Sequence, residues 1–340
     1  MPGLDTLAPA ILFSIAILVL TALIAYWGAF LLRRKLDDEA RRKLIEAGKA
    51  QRFVWLPDGI AHARYYRAQG SNAASAPIVV LIHGFSTPSF VWHDHIEPLT
   101  RAGFRVLTYD HFGRGFSARP RRKYDTGLLD RQLDSLLDAF DLKEPVHLAG
   151  YSMGGAVATI FAARHPERVA SLTLIAPAGL GVAPQGGAMA LLRAPVIGDW
   201  LVRIFGPRLF GKGAAREAAN APDPAGFVNS FRQQLAYRGY GEALLSTIRH
   251  YPLSGAIQFY EEAGKAGRPV LVVWGEADSV VPFTHAPKLV NLMPQATLYS
   301  YPNIGHDIAY SQAPLVSGLM TQFLTGLRGS GATLRLVPRE

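Results

Sequence analysis

The chain has 340 residues and a net charge of +9, from 35 Lys and Arg against 26 Asp and Glu, and 49% of it is hydrophobic. The absence of cysteine excludes disulfides, thiolate metal sites and a cysteine nucleophile, and this much apolar material excludes large-scale disorder. A mean hydropathy of +0.13 is high for a wholly soluble chain, so the apolar and positive excesses have to be located along the sequence.

No charged residue occurs between Thr6 and Leu32. A helix over 7–32 reaches about 39 Å at about 1.5 Å per residue, enough to cross a hydrocarbon core of about 30 Å with tilt. Tyr26 and Trp27 fall near its end, where amphipathic rings favour an interface. A cleavable signal peptide fits less well, because no Lys or Arg precedes the run and the run exceeds an ordinary signal core. Residues 1–35 are therefore expected to form a single-pass membrane anchor. Only Asp5 is charged before the span, whereas Arg33, Arg34, Lys35, Arg41, Arg42 and Lys43 follow it. The positive-inside tendency then places the rest of the chain in the cytoplasm. Residues 36–51, with Asp37, Asp38, Glu39 and Glu46 interspersed, predict a charged helix or linker beside an anionic leaflet. No nucleic-acid partner is expected, since no nucleic-acid-binding motif accompanies the charge.

Residues 52–56 and 60–67 flank Pro57-Asp58-Gly59 and predict a hairpin. The run 76–83 is continuously apolar, as in a strand buried on both faces of a parallel sheet. Segments 104–109, 145–150, 170–176, 269–274 and 296–301 repeat that signature, and 127–140 reads as an amphipathic helix. The alternation predicts a mostly parallel sheet flanked by helices. Its core would comprise 52–177 and 268–328, with a tail at 329–340. The interval 178–267 lacks a buried-strand pattern and predicts a helical cap. Within it Ile197, Trp200, Leu201, Ile204 and Phe205 recur at helical spacing. That face is expected to pack onto the sheet domain, or else to line an acyl pocket or touch a bilayer with Leu209 and Phe210. In the second case Arg203 and Arg208 would meet lipid headgroups.

Chemistry begins at Gly150-Tyr151-Ser152-Met153-Gly154, a G-x-S-x-G directly between a strand and a helix. A sharp strand-to-helix turn of this kind exposes the serine as a nucleophile. The serine needs a base, and in this architecture the acid and then the histidine follow it in the chain. Asp278 ends a later strand in WGEADS, and His306 follows the last strand in NIGHD. Glu276 and Asp307 are rival acids, with Asp278 favoured because the Gly-x-x-Asp turn puts it at the strand end. Oxyanion donors are expected from the backbone N–H groups of Phe85, in His83-Gly84-Phe85-Ser86, and of Met153. His83 is expected to hold its loop, and Asp110–Gly115 to form a supporting turn. The cluster Trp92-His93-Asp94-His95 reads as a helix start rather than a metal site, and Arg119, Arg121, Arg122 and Lys123 as solvated charge.

With HGF, DHFGRG, GYSMGG and the GEAD/GH pair in order, residues 52–326 resemble the α/β-hydrolase family. The anchor and the HGFS…SMGG…APAGL pattern look like the membrane-anchored monoacylglycerol lipases of that family. The resemblance implies an α/β-hydrolase fold with an inserted cap, and a triad of Ser152, Asp278 and His306. It further implies hydrolysis of monoacylglycerols, lysophospholipids or simple esters without metal or cofactor. Carbon–carbon hydrolases of meta-cleavage products share the triad and a similar elbow, and a non-catalytic membrane scaffold is the alternative from another class. Haloalkane dehalogenases and epoxide hydrolases carry Asp where this chain has Ser152.

Overall fold

Two helices, α1 (Leu4–Leu31) and α2 (Asp38–Glu46), precede the sheet in the computed structural model. The first half continues with β1 (Arg52–Leu56), β2 (Gly59–Tyr66), β3 (Ile78–Ile82), α3 (His93–Arg101), β4 (Arg105–Tyr109), α4 (Thr126–Ala139), β5 (Val146–Tyr151), α5 (Met153–Arg164) and β6 (Val169–Ile175). Among the described residues five α-helices intervene: α6 (Gly187–Arg193), α7 (Ile197–Glu217), α8 (Pro224–Leu235), α9 (Tyr240–His250) and α10 (Ile257–Lys265). The chain returns through β7 (Val270–Gly275), α11 (Ala286–Leu292), β8 (Ala296–Tyr301), α12 (Ile308–Ser311) and α13 (Ala313–Gly329). The structure describes residues 4–329 apart from 49–50, 71–72, 74 and 182–185, so nearly all of the expected tail lies outside it.

The strands form one sheet in the order β1-β2-β4-β3-β5-β6-β7-β8. Among the described strands only the β1–β2 and β2–β4 pairs are antiparallel. Every residue of β3 and β7 is buried, as their unbroken apolar runs require when helices cover both faces. Each Val, Leu or Ile removed from water there contributes about 1.5–3 kcal/mol. Helix α4 starts where the Asp125 side chain accepts the Leu128 N–H at 2.9 Å, and it buries Leu128, Leu129, Leu133, Leu136 and Leu137.

Within α1, Ile11–Leu31 is long and apolar enough to cross a membrane by length and composition. Residues 11–20 are all exposed, and from Ala22 onward Ala22, Tyr26 and Phe30 form a half-buried stripe against α7.

The cap interval departs from expectation in two places. The inward face of α7 is not the predicted apolar stripe but Gly198, Val202, Gly206 and Ala214. Close approach decided this: a Cβ on Gly241 of α9 would lie 2.7 Å from Val202, so the helices meet through their smallest residues. Ile197 and Phe205 are left exposed, and the Trp200 indole N–H donates to the Ala22 carbonyl of α1 at 3.1 Å. Arg203 pairs with Glu242 at 2.8 Å and lies 3.9 Å from the Tyr26 ring centre, so it faces protein rather than headgroups. Helix α10 packs beside α5, and its Tyr260 and Ala263 belong to the main core.

Candidate active site

Ser152 sits between β5 and α5 with φ 56° and ψ −120°, a conformation non-glycine residues rarely adopt. Such strain costs about 1–3 kcal/mol and persists because its surroundings enforce it. The Ser152 N–H donates to the Ile175 carbonyl at 2.9 Å, and the Ser152 carbonyl accepts from Gly155 and Ala178 at 3.0 Å. The flanking glycines follow from crowding. A Cβ on Gly150 would lie 2.3 Å from the Gly154 carbonyl oxygen, and one on Gly154 would lie 2.1 Å from that of Ile82.

The loops after β7 and β8 bring two distant residues to this turn. His306 Nε2 is 2.9 Å from Ser152 Oγ, and His306 Nδ1 is 2.7 Å from Asp278 Oδ2. Asp278 Oδ1 accepts the amides of Val280 and Val281, both at 2.8 Å. The Tyr151 hydroxyl donates to the His306 carbonyl at 2.9 Å and fixes that loop. Of the rival acids, Glu276 accepts from Ser300 Oγ at 2.7 Å and Asp307 stands at the N-cap of α12 without a side-chain capping bond, while Asp278 is the carboxylate on His306.

Phe85 and Met153 both line the cavity at Ser152. Met153 opens α5, where a helix's first amides have no intrahelical acceptor. Neither amide donates to a backbone carbonyl in the turns and loops described. His83 holds the Phe85 loop: its Nδ1–H donates to the Gly84 carbonyl, and its Nε2 accepts the His111 N–H, each at 2.9 Å. Burial lowers its pKa to about 4, which keeps the imidazole neutral. Asp110 accepts from Ser89 Oγ at 2.6 Å, His62 Nδ1 at 2.7 Å and the Ser89 and Phe116 amides at 2.9 Å, which closes the supporting turn. His95 is buried between the Ala309 carbonyl and Ser317. No grouping of three or more His, Asp or Glu suited to a metal occurs among the described residues.

A family model described as alpha/beta hydrolase fold matches residues 77–313. The chain belongs to the alpha/beta hydrolase family. A dihydrolipoyllysine-residue acetyltransferase component of the acetoin cleaving system from Pseudomonas putida is 32% identical over 254 residues, 72% of this chain. The match spans only 63% of that relative's length. A 2-hydroxy-6-oxononadienedioate/2-hydroxy-6-oxononatrienedioate hydrolase from Comamonas testosteroni is 29% identical over 270 residues, 76% of this chain and 91% of that one. A solved structure described as a membrane phospholipase A has a TM-score of 0.65 at 23% identity, over 95% of this chain and 100% of that chain.

In this alpha/beta hydrolase two cavities meet at Ser152. One, of about 490 Å³, runs under the cap past Met153, Met189, Ile248, Leu253 and Val281 and is largely apolar. The other, of about 560 Å³, is lined by Thr87, Arg216, Glu217, Asn220 and His306. Solvent reaches Glu217 through this second arm, yet protein crowds it. Burial raises its carboxyl above the ordinary value, against a 3.0 Å hydrogen bond from Thr87 and the nearby His306, which lower it.

Sequence reading missed how the cap clamps the loop that carries Phe85. Arg114 is fully buried, and its Nε donates to the Phe85 carbonyl at 3.0 Å, Nη1 to Phe112 at 3.2 Å and Nη2 to Thr247 Oγ1 at 2.7 Å. Tyr240 and Gln234 side chains both donate to the Ser86 carbonyl, at 3.2 and 3.1 Å. Arg114 was visible inside DHFGRG, but apart from Phe112 its partners lie on the facing loop, at Phe85, and 133 residues downstream, at Thr247.

Proposed function

We propose that this protein is a membrane-anchored serine hydrolase of carboxylic esters, with acylglycerols or lysophospholipids as substrates. The observation that carries the reading is the continuous hydrogen-bonded chain from Ser152 through His306 to Asp278, placed where an apolar and a polar cavity meet. An acyl chain fits the apolar arm and a polar head the other. His306 Nε2 takes the Ser152 proton as Oγ attacks the ester carbonyl, and the N–H groups of Phe85 and Met153 stabilise the oxyanion. His306 then protonates the departing alcohol. Water, deprotonated by the same imidazole, releases the acid and restores Ser152. Asp278 orients the ring and balances its charge throughout. No metal or cofactor enters this scheme.

The anchor reading rests on the apolar span Ile11–Leu31 and on the positive residues behind it, which favour a cytoplasmic catalytic domain. The overlap with the membrane phospholipase A over 95% of the chain extends beyond the catalytic core and supports the lipid side of the proposal.

A second reading, carbon–carbon hydrolysis of a meta-cleavage product, is favoured by the similarity to the Comamonas testosteroni hydrolase along 91% of its length. The polar arm supports the ester reading instead. Glu217 and Arg216 line it together, a mixed-charge wall suited to a neutral polyol or zwitterionic head rather than to a dicarboxylate.

The test compares turnover of monoacylglycerols and p-nitrophenyl esters with that of a ring-cleavage product, alongside fluorophosphonate labelling. Ester turnover and labelling that both vanish in Ser152→Ala support the proposal. Esterase activity retained in Ser152→Ala, or turnover confined to the ring-cleavage product, overturns it.

A further inference from the structure

The anchor helix is fastened to the cap rather than to the sheet. Trp200 donates to Ala22, Arg203 lies over Tyr26 and Phe30, and Arg238 donates to the Arg33 and Leu31 carbonyls at 2.8 and 3.2 Å. Arg34 also forms a backbone bridge with Tyr237, between α8 and α9. Ascending α7 from Trp200 to Arg203 therefore follows α1 from Ala22 toward its C-terminal end.

This contact fixes a depth. If α1 spans a bilayer, its near boundary falls between the aromatic pair Tyr26-Trp27 and Leu31, where the helix ends two residues before Arg33. Ala22 lies four to nine residues inside that boundary, or about 6–14 Å at about 1.5 Å per residue. The start of α7, hydrogen-bonded to Ala22, has to lie at similar depth. Its surface chemistry agrees. Leu191, Val196, Ile197, Phe205 and Leu209 are all exposed, and most large exposed hydrophobics described outside the anchor region are among them. Val196 is 78% exposed and holds φ at 68°, a strained position for a β-branched residue that nevertheless turns its side chain outward. Further along α7, Arg208 and Lys212 are exposed, where rising out of the hydrocarbon would bring them to anionic headgroups. The acid of the first turn, Asp199, is already held by Arg249 at 3.1 Å and by the Val196 amide at 3.2 Å.

We propose that the α6–α7 edge of the cap is a second membrane-binding element, immersed in the leaflet nearest the catalytic domain beside the anchor. Its partner is the lipid surface itself. Met189 and Arg193 of α6 line the apolar arm at Ser152, so the immersed edge and the acyl pocket share one helix. A lipid ester then reaches Ser152 from the leaflet without crossing bulk water. The inference rests on the anchor reading, and its test separates the two.

Because the chain lacks cysteine, single reporters can be placed without background. Full-length Val196→Cys, Phe205→Cys, Val19→Cys and Trp55→Cys variants, labelled with an environment-sensitive fluorophore, are reconstituted in phosphatidylcholine–phosphatidylglycerol vesicles. Labels at 196 and 205 are expected to emit to the blue, to lose intensity to nitroxide-bearing lipids and to resist iodide, as the anchor label at 19 does. The label at 55, exposed on β1, is expected to be quenched by iodide. Iodide quenching at 196 and 205 with a lipid-protected label at 19 overturns the inference and leaves the anchor standing. Iodide quenching at 19 overturns the anchor reading and this one with it. In the same vesicles, the double variant Val196→Glu/Phe205→Glu is expected to lose hydrolysis of embedded monoacylglycerol while keeping that of a water-soluble ester. Equal loss on both substrates overturns delivery from the leaflet.

Discussion

Asp278 grips His306 with one carboxylate oxygen and the loop that follows it with the other: Oδ2 lies 2.7 Å from His306 Nδ1, while Oδ1 accepts the Val280 and Val281 amides at 2.8 Å. The two oxygens are thus not interchangeable. In Asp278→Asn the two amides keep the carbonyl oxygen at the Oδ1 position and turn the NH2 group toward Nδ1. His306 then has to accept there, which puts its proton on Nε2, where it cannot take one from Ser152. The expected result is a fall in kcat on the order of 10⁴ with an unchanged unfolding midpoint. Ester kinetics, fluorophosphonate labelling rate and thermal melting check it together.

Crowding at the elbow makes its glycines stability determinants. Gly154→Ala places a Cβ 2.1 Å from the Ile82 carbonyl and 2.6 Å from that of His83, both backbone atoms of the central sheet region. A loss of about 3 kcal/mol is expected in denaturant unfolding, at the upper end for overpacking. Gly318→Ala in α13 is the control. Its added methyl meets nothing within 4 Å, so a gain of about 0.5–1 kcal/mol is expected.

Arg114 couples the cap to the loop that carries Phe85. Burial lowers its guanidinium to about 10, so it remains cationic at neutral pH. Arg114→Met leaves the Phe85 and Phe112 carbonyls without this donor, and a destabilisation of about 2–4 kcal/mol is expected. Loosening the Phe85 loop is expected to lower kcat by about 10-fold or more, since a lost oxyanion donor costs 10²–10³-fold at the limit, with little change in KM. Arg114→Lys restores the charge but not the three-way geometry, so only partial recovery of kcat is expected.

Acid is expected to weaken the fold through buried neutral histidines. His83 and His95 are pushed down to about 4 by burial, from an ordinary 6.5. As pH falls below about 6.5 the unfolded chain takes up protons that the folded chain refuses, so stability drops until about pH 4. Each unit of depression is worth about a factor of ten in the folding constant. His95→Gln retains a donor and an acceptor for Ala309 and Ser317 but does not titrate. Chemical unfolding across this range is expected to show a shallower pH slope for the variant than for the parent.

Much of this could be read along the chain. Strands β3 to β7 announce themselves because both faces are covered, which leaves continuous apolar runs such as IVVLI in β3. The elbow is legible because one sharp turn demands Gly150 and Gly154 around Ser152, all within five residues. Asp278 and His306 could be named from strand ends alone. The cap was not legible to the same degree. Helix α7 carries apolar residues around most of its circumference, so periodicity did not pick out its buried face, and the contacts of Gly198, Gly206 and Gly241 did. Nor could Arg203 be placed, because its partners Glu242 and Tyr26 sit far apart in sequence.

The sequence by itself determined which residues are greasy, where the charge accumulates, and which short motifs force a turn. These follow from local sterics and hydrophobic periodicity. Only the tertiary structure decided what α1 leans on, which arm of the cavity is polar, and how Arg114 ties the cap to the site. Those depend on long-range packing between helices of similar composition, where the closest approach is set by a few small residues and by the need to pair each buried charge.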